Sequence, residues 1–191
     1  MAVYSYTPKV ITGPLGTTYD FFAGDTQYTE LGIIDNVHYI DVQDTSLLPT
    51  QDSNIQFEAV AQLPTSLLTE LKTAKALEIK TASDIYDSYK CDEMFITSSL
   101  GYKINADIRS QKNIESLIAI TADDATVSYK DYDNNFQTLT KADLLTLSSE
   151  CIQNGLALYQ QKWTLQTAVE TCTTKEELDA IVVAFVMQSF E

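Results

Sequence analysis

The sequence predicts an α+β protein in which a small N-terminal β-rich module precedes a helical module with two β-hairpins packed around one long central helix. Two observations lead to this class. The first 60 residues contain most of the glycines, three of the four prolines and several short β-rich runs. After Pro64, apolar residues recur instead at the spacing of amphipathic helices. We therefore predict two domains, a β-rich docking module over residues 1–62 and an α+β module over residues 63–191.

The N-terminal module is predicted to consist of β-runs joined by turns. Asp35-Asn36 separates two of the runs, and these residue types tolerate positive φ, so a tight hairpin turn is expected there. Residues 48–52 follow neither period and are predicted to form a surface loop. The predicted runs are Val3–Ile11, Tyr28–Ile34, Val37–Val42 and Ile55–Val60.

The C-terminal module is predicted to follow the order helix, hairpin, helix, hairpin, long helix, short helix. Thr65 or Ser66 can cap the first helix, which carries apolar residues as far as Tyr89. Asn105 or Asp107 can cap the second helix. The hairpins pair Met94–Thr97 with Tyr102–Ile104 around Gly101, and Thr126–Lys130 with Phe136–Leu139 around Asp133-Asn134-Asn135.

The long helix is predicted to begin at an N-cap, Thr140, with Asp143 completing a capping box. Its apolar residues cover more than half of the circumference, so we expect it to be covered on two sides. We also expect Trp163 to be buried, so that Trp163→Ala costs about 3–5 kcal/mol. One stripe contains Leu144, Leu147, Cys151, Leu158, Leu165 and Cys172, and the other Leu145, Ile152, Leu156, Tyr159 and Trp163.

The final helix is expected to begin at Thr173 or Thr174. Thr173 and Glu176 have the spacing of a capping box. Its predicted buried residues are Leu178, Ile181, Val182 and Phe185.

Charge and hydropathy exclude several classes of partner. A net charge of −15 and a pI near 4.2 argue against recognition of nucleic acid through phosphates and against anionic membrane surfaces. The apolar runs are shorter than the roughly 20 residues that span a bilayer. The N-terminus lacks a basic start followed by an apolar segment, so no signal peptide is predicted.

The residues that could carry chemistry form no catalytic pattern. His38 is the only histidine and lies in an alternating β-run, where a strand-face role is expected. Three cysteines without close pairing, Cys91, Cys151 and Cys172, predict buried thiols in a reducing compartment. We therefore predict no catalytic residue and no cofactor.

The loop at Asp131 is a candidate metal site. Asp131, Asp133 and Asn135 have the alternate spacing that opens an EF-hand loop. However, Phe136 stands where the glycine belongs and Ala142 where the bidentate glutamate belongs. The sequence therefore favours a hairpin turn and predicts no metal site.

The N-terminal module is rich in tyrosine and acidic. Residues 1–71 hold nine acids against the single base Lys9, a net charge of −8. Tyrosine is enriched at protein interfaces, but cross-strand packing explains a crowd of tyrosines equally well. As partner contacts we select Tyr4, Tyr6, Tyr28 and Tyr39.

The C-terminal module resembles a known family through dispersed residues. The similarity covers about residues 70–190, with a weaker likeness at Leu31–Tyr39 and Leu48–Gln51. It is carried by 101–107 (GYKINAD), Arg109-Ser110, Asn113-Ile114, Leu117-Ile118, Asp133-Asn134, Leu139-Thr140, Ala142-Asp143-Leu144 and Lys162-Trp163. These residues are similar to an uncharacterised C-terminal domain family of tailed-phage and prophage tail-fibre-associated or tail-fibre-assembly proteins.

The resemblance implies a non-enzymatic bacteriophage tail protein, associated with the tail fibre or its attachment site. It would act as a virion structural subunit or a fibre-bound assembly chaperone, with tail-fibre or baseplate proteins as partners and an oligomeric state set by the assembly. It would be located in the virion tail, and in the host cytoplasm during assembly. No functional residue is carried over from the family. The alternative is a small-ligand-binding or hydrolytic phage enzyme, which would need a pocket near His38 or the Asp131–Asp133 turn.

Overall fold

The computed structural model describes residues 2–13, 16–20, 28–45, 55, 57–86 and 94–191, and it confirms the α+β class. The chain divides into two compact units, Met1–Thr73 and Ala74–Glu191. This division lies inside the first helix. The predicted domain boundary between residues 62 and 63 precedes that helix and stays a prediction.

The described part of unit 1 contains the strands β1 Ala2–Tyr6, β2 Lys9–Gly13, β3 Gly16–Asp20, β4 Tyr28–Ile34, β5 Val37–Val42 and β6 Glu58–Ala59. Four of them form an antiparallel sheet in the order β4-β5-β1-β6. A separate hairpin pairs β2 with β3. The predicted runs Tyr28–Ile34 and Val37–Val42 are confirmed.

Two predicted strands of this unit need correction, and one strand is absent from the prediction. The run Val3–Ile11 is two strands, because the chain leaves the ladder at Pro8, which has no N–H to donate. The strand Gly16–Asp20 was not predicted, since its composition of Gly, Thr, Tyr and Asp resembles a loop. The run Ile55–Val60 shortens to Glu58–Ala59. The predicted loop at residues 48–52 lies outside the described residues.

The hairpin between β4 and β5 turns as predicted. Asp35 and Asn36 have φ of 50° and 64°, the positive values that a two-residue turn requires. A bulge in β4 includes Gly32, whose φ is 152°. A Cβ at this position would lie 2.7 Å from Leu67 Cδ1, so the strand packs closely against the first helix. The buried apolar residues of unit 1 are Val3, Tyr6, Ile40, Val42, Leu63 and Leu67.

Unit 2 follows the predicted order of helices and hairpins. The first helix ends at Asp84, before the predicted Tyr89, which lies outside the described residues. Both hairpins form, and Gly101 and Asn134 supply positive φ in their turns. The elements are α1 Thr65–Asp84, β7 Phe95–Thr97, β8 Lys103–Asn105, α2 Ile108–Ile120, β9 Thr126–Lys130, β10 Phe136–Thr140, α3 Lys141–Thr171 and α4 Lys175–Asp179.

Two of the predicted helix starts are confirmed by their hydrogen bonds. Asp107 caps α2 by accepting from the backbone N–H groups of Arg109 and Ser110, at 2.8 and 3.0 Å. Thr140 and Asp143 form a reciprocal capping box at α3. The hydrogen bonds from Thr140 hold the pKa of the Asp143 carboxyl below its ordinary value.

The end of the chain differs from the prediction. The capping box of α4 joins Thr174 to Glu177, one residue later than the predicted Thr173 and Glu176. The helix ends at Asp179, so Ile181, Val182 and Phe185 are not helical, and Val182 is exposed.

The segment after α4 is not helical because side chains of α3 form hydrogen bonds with its backbone. Gln161 accepts from Val186 N at 2.8 Å and donates to Val186 O at 2.9 Å. Asn154 accepts from Gln188 N at 2.9 Å, and Phe190 N donates to Thr97 O at 2.9 Å. A helix would use these backbone groups internally, so the two arrangements exclude each other.

The core of unit 2 lies on one side of α3. Leu144, Leu147 and Cys151 are fully buried there, and Leu158 is nearly so. They pack with Met94, Ile96, Ile104, Ala106, Ile114 and Leu139 from the two hairpins and α2. The first predicted stripe of α3 is therefore a core stripe.

Candidate functional site: the exposed face of helix α3

The second apolar stripe of α3 is exposed. Its residues keep between 49% and 59% of their surface accessible in the structure. The predictions that α3 is covered on two sides and that Trp163 is buried are therefore wrong, because the hairpins, α2 and the final segment pack on the first stripe. We call this second set the α3 stripe: Leu145, Ile152, Leu156, Tyr159 and Trp163.

The α3 stripe has the spacing of a coiled-coil seam. Ile152, Leu156, Tyr159 and Trp163 follow each other at intervals of four, three and four, and Leu145 lies seven residues before Ile152. These residues occupy a and d positions of a heptad. Ser149 occupies the remaining a position and is the one small residue of the seam. From Leu145 to Trp163 the seam is about 27 Å long at 1.5 Å per residue.

Helix α3 carries few charges around this stripe. Between Leu144 and Val169 the charged residues are Glu150 and Lys162. The Glu150 side chain is buried, and Lys162 is half-buried. Charged residues are depleted from the centres of protein interfaces, whereas an ordinary solvated helix face is rich in them. In a chain of net charge −15, this face is therefore unusual.

A small cavity opens beside the middle of the stripe. Its volume is about 160 Å³, and Tyr159, Gly155, Leu158, Tyr86 and Phe185 contribute to its walls. A Cβ built on Gly155 would meet no atom within 4 Å. Small-molecule sites usually measure about 300–1,000 Å³, so this cavity fits a side chain better than a drug-sized ligand.

The one buried charge of the face, Glu150, fixes the turn between β7 and β8. Glu150 Oε1 accepts from Ser99 N at 3.0 Å and from Ser99 Oγ at 2.5 Å. Glu150 Oε2 and the nearby Tyr102 hydroxyl are both buried without a hydrogen-bond partner among the described residues. Burial, with Asp143 the largest of the nearby carboxylate contributions, raises the pKa of Tyr102 to about 12.

The tyrosines selected as partner contacts fall into different environments. Tyr6 is 3% exposed and stacks on His38, with ring centroids 4.9 Å apart. Burial, and secondly the Glu30 carboxylate, raise its pKa to about 12. Tyr6 is therefore a core residue, and its selection as a surface anchor is wrong. Tyr28 is 37% exposed on β4, at the edge of the sheet, while Tyr4 and Tyr39 are half-buried on paired strands.

The structure also locates His38, which the sequence placed on a strand face. His38 lies on β5, is buried, and its Nδ1 is 2.7 Å from Glu30 Oε1. The prediction of a strand-face residue is confirmed. The cavity beside α3 is not lined by His38 or by the Asp131–Asp133 turn, where an enzyme would have needed one.

Asp131 organises the hairpin turn that the sequence favoured over a calcium loop. Its carboxylate accepts from Asn135 N at 2.8 Å and from Gln137 Nε2 at 2.9 Å. The bond from Gln137, followed by that from Asn135, holds the Asp131 pKa below its ordinary value against the opposing effect of burial. The side chain of Asp133 is exposed. The turn is thus confirmed, and the absence of a calcium site stays a prediction.

The remaining candidates are accounted for by burial. Cys151 and Cys172 are buried free thiols, as predicted, and burial raises the pKa of Cys151 to about 12, which leaves it unreactive. Cys91 lies outside the described residues.

In the described part of the chain, no three His, Cys, Asp or Glu side chains form a group able to hold a metal. No helix there is long and apolar enough to cross a membrane.

A protein-family model matches more than half of the chain. Residues 70–182 match the family described as Domain of unknown function (DUF4376), and this range includes all of α3 and its stripe. No curated protein matches the chain, and no solved structure does.

Proposed function

Since the chain belongs to the DUF4376 family of domains of unknown function, we propose its role from its own surfaces. It is a non-enzymatic bacteriophage tail protein, associated with the tail fibre or its attachment site, and it works by binding other proteins. It serves as a virion structural subunit or as a fibre-bound assembly chaperone, in the tail of the virion and in the host cytoplasm during assembly.

The α3 stripe is the observation that carries the protein-binding role. Five large apolar side chains lie half exposed along one helix face, and the face around them is nearly free of charge. Contiguous exposed apolar surface of this kind is typical of protein-interaction sites. The placement in a phage tail is supported by the resemblance of about residues 70–190 to tail-fibre-associated proteins.

The N-terminal module supplies a second surface in this proposal, which docks a fibre or baseplate protein. Residues 1–71 carry a net charge of −8, and Tyr28 is exposed on the edge strand β4. An acidic surface favours a partner patch with Lys or Arg, which acts mainly on orientation and association rate. Tyr28→Ala is expected to weaken capture of the fibre protein, whereas Tyr6→Phe, a core change, is expected to leave it intact.

The composition of purified virions tests the proposal. Quantitative mass spectrometry should find this chain at a fixed ratio to fibre or baseplate proteins if it is a permanent subunit. A transient assembly chaperone should be absent from virions but should co-purify with the fibre protein from infected cells. A chain found in neither fraction would refute the tail assignment. Turnover of a small ester or phosphate substrate, lost on substitution of a residue at the α3 cavity, would favour the enzyme alternative instead.

A further inference from the structure

We infer that the α3 stripe is the interface between two copies of this chain, with the two α3 helices antiparallel about a two-fold axis close to Gly155. The inference rests on the proposed protein-binding role of this surface and names its partner. It is argued from charge, from the register of the seam and from the size of the exposed surface.

Charge favours a second copy at this face over other faces of the same molecule. Each copy has a net charge of −15, so two copies repel each other wherever acidic surfaces meet. On α3 between Leu144 and Val169 the charged residues are the buried Glu150 and the half-buried Lys162, and Lys162 interacts with the Asp84 carboxylate of α1. Two such helix stretches therefore meet without bringing exposed carboxylates of α3 together, and the exposed polar residues of α3 beside the stripe are Ser, Thr and Gln.

The register of an antiparallel pair sets the two largest side chains of the stripe, Tyr159 and Trp163, opposite smaller ones. Antiparallel coiled coils place each a residue opposite a d residue of the other helix. With the axis near Gly155, Ile152 lies opposite Leu156 of the second copy. The same register sets Tyr159 opposite Ser149 and Trp163 opposite Leu145. In a parallel pair, Trp163 would face Trp163 of the second copy, Tyr159 would face Tyr159, and Ser149 would face Ser149. The layers of side chains between the helices would then differ widely in size.

Gly155 fits the position next to the axis. It is a flanking g position of the heptad, where an antiparallel pair brings Gly155 near Gly155 of the second copy. Glycine weakens a helix interior, and here a Cβ would meet no atom within 4 Å of its own chain. No packing against the residues that the structure describes therefore requires this glycine, whereas close approach of a second helix would use it.

The exposed area is enough for a reversible dimer. If each half-exposed stripe residue contributes on the order of 90 Å², the five bury roughly 900 Å² over both copies. The flanking Thr and Gln residues bring the total above the roughly 1,000 Å² expected of a specific interface, at the small end of the range. We therefore expect a dissociation constant on the order of micromolar.

Sedimentation equilibrium of the full chain tests the interface. The unmodified chain should dimerise, and Ile152→Glu, which brings carboxylates near the axis of the seam, should raise the dissociation constant at least roughly 30-fold. Ile120→Glu is the matched control, since Ile120 is 78% exposed on α2 and lies outside the stripe. It should dimerise like the unmodified chain. Circular dichroism melts at low concentration should show both variants folded.

Disulfide cross-linking tests the orientation in a chain that carries Cys91→Ser. Gly155→Cys should form a disulfide-linked dimer in the antiparallel arrangement. Ser149→Cys should not, because two copies of this position would lie about 15 Å apart, ten residues of helix rise. Efficient cross-linking of Ser149→Cys with none for Gly155→Cys would overturn the antiparallel arrangement.

A chain that is monomeric at roughly 100 μM, or a dimer that persists in Ile152→Glu, would overturn the interface itself. Virion composition does not depend on self-association, so the two proposals fail separately. A monomeric chain found in tails refutes only the dimer, and a dimeric chain absent from both virions and fibre complexes refutes only the tail role.

Discussion

Replacing two leucines of α3 separates the core stripe from the exposed stripe. Leu147 is fully buried and Leu145 is 53% exposed, although they are two residues apart in the same helix. Leu147→Ala removes buried methyl groups and leaves a cavity, which costs about 2–5 kcal/mol. Leu145→Ala loses less than half of that contact area and leaves no enclosed cavity, so we expect a cost of about 1 kcal/mol or less. Because both changes are Leu→Ala within one helix, differences in helix propensity cancel.

Urea unfolding followed by tryptophan fluorescence is the appropriate assay. Trp163 is the only tryptophan of the chain and lies on α3, so its signal reports unit 2. Measurements well below micromolar concentration keep the proposed dimer dissociated, because its expected dissociation constant is on the order of micromolar. Equal losses of unfolding free energy for both variants would show that the α3 stripe belongs to the core. Trp163→Ala, followed by circular dichroism, should likewise cost about 1 kcal/mol or less, and not the 3–5 kcal/mol that burial would require.

Three further predictions concern two glycine positions and the effect of pH. Gly32→Ala should lower the unfolding free energy of unit 1 by about 1–3 kcal/mol, because φ of 152° and a contact of 2.7 Å with Leu67 both disfavour a Cβ. Gly155→Ala, in open space on a helix, should instead raise stability in urea titrations. Hydrogen bonds, with the one from Gln137 as the largest contribution, lower the pKa of Asp131 in the folded state. The ionised Asp131 therefore stabilises the fold fully above the ordinary carboxyl pKa of about 4, and this stabilisation is lost as the pH falls through the pKa of the folded state. Asp131→Asn should therefore be less stable than the parent near pH 7, and the difference should shrink on acidification.

Local chemistry explains which parts of the fold were predictable. The N-caps Asp107 and Thr140, the Asp35-Asn36 turn and the Gly101 turn depend on nearest neighbours, and all are found where the sequence placed them. Both C-terminal hairpins also follow from alternation and turn residues. These features require no knowledge of which elements touch.

The wrong predictions concern features of the fold that are determined by tertiary contacts. Helical spacing shows that two stripes of α3 are apolar, but it does not show how many neighbours are available to cover them. The depletion of charge between Leu144 and Val169 is a sequence signal that could have identified the second stripe as an interface. The segment after Asp179 is apolar enough for a helix, yet Gln161 and Asn154 of α3 bind its backbone in extended form. Hydrogen bonds between residues this far apart in the sequence produce no periodic pattern in it.

The contact between α3 and the β7–β8 turn gives a last prediction. Glu150 is 4% exposed, its Oε1 accepts two hydrogen bonds from Ser99, and its Oε2 accepts none from the residues that the structure describes. Hydrogen bonds to charged groups contribute about 1.5–3 kcal/mol, and the exposure of Ser99 places this one at the lower end. Ser99→Ala removes the hydroxyl donor and should cost about 1–2 kcal/mol in the parent chain. In a Glu150→Gln background the acceptor is neutral, so the same change should cost less than about 1 kcal/mol.

The double-mutant cycle of these two substitutions isolates their coupling, because the two side chains touch directly. Ser149→Ala provides the matched control: it removes a hydroxyl from the adjacent, exposed position of α3, for which no hydrogen bond to Glu150 is present. We expect a coupling energy of about 1 kcal/mol between Ser99 and Glu150, and a value near zero between Ser149 and Glu150. Equal coupling in both cycles would mean that Glu150 acts through the general charge of the helix face. In that case the Ser99 hydrogen bonds would not be what holds the β7–β8 turn against α3.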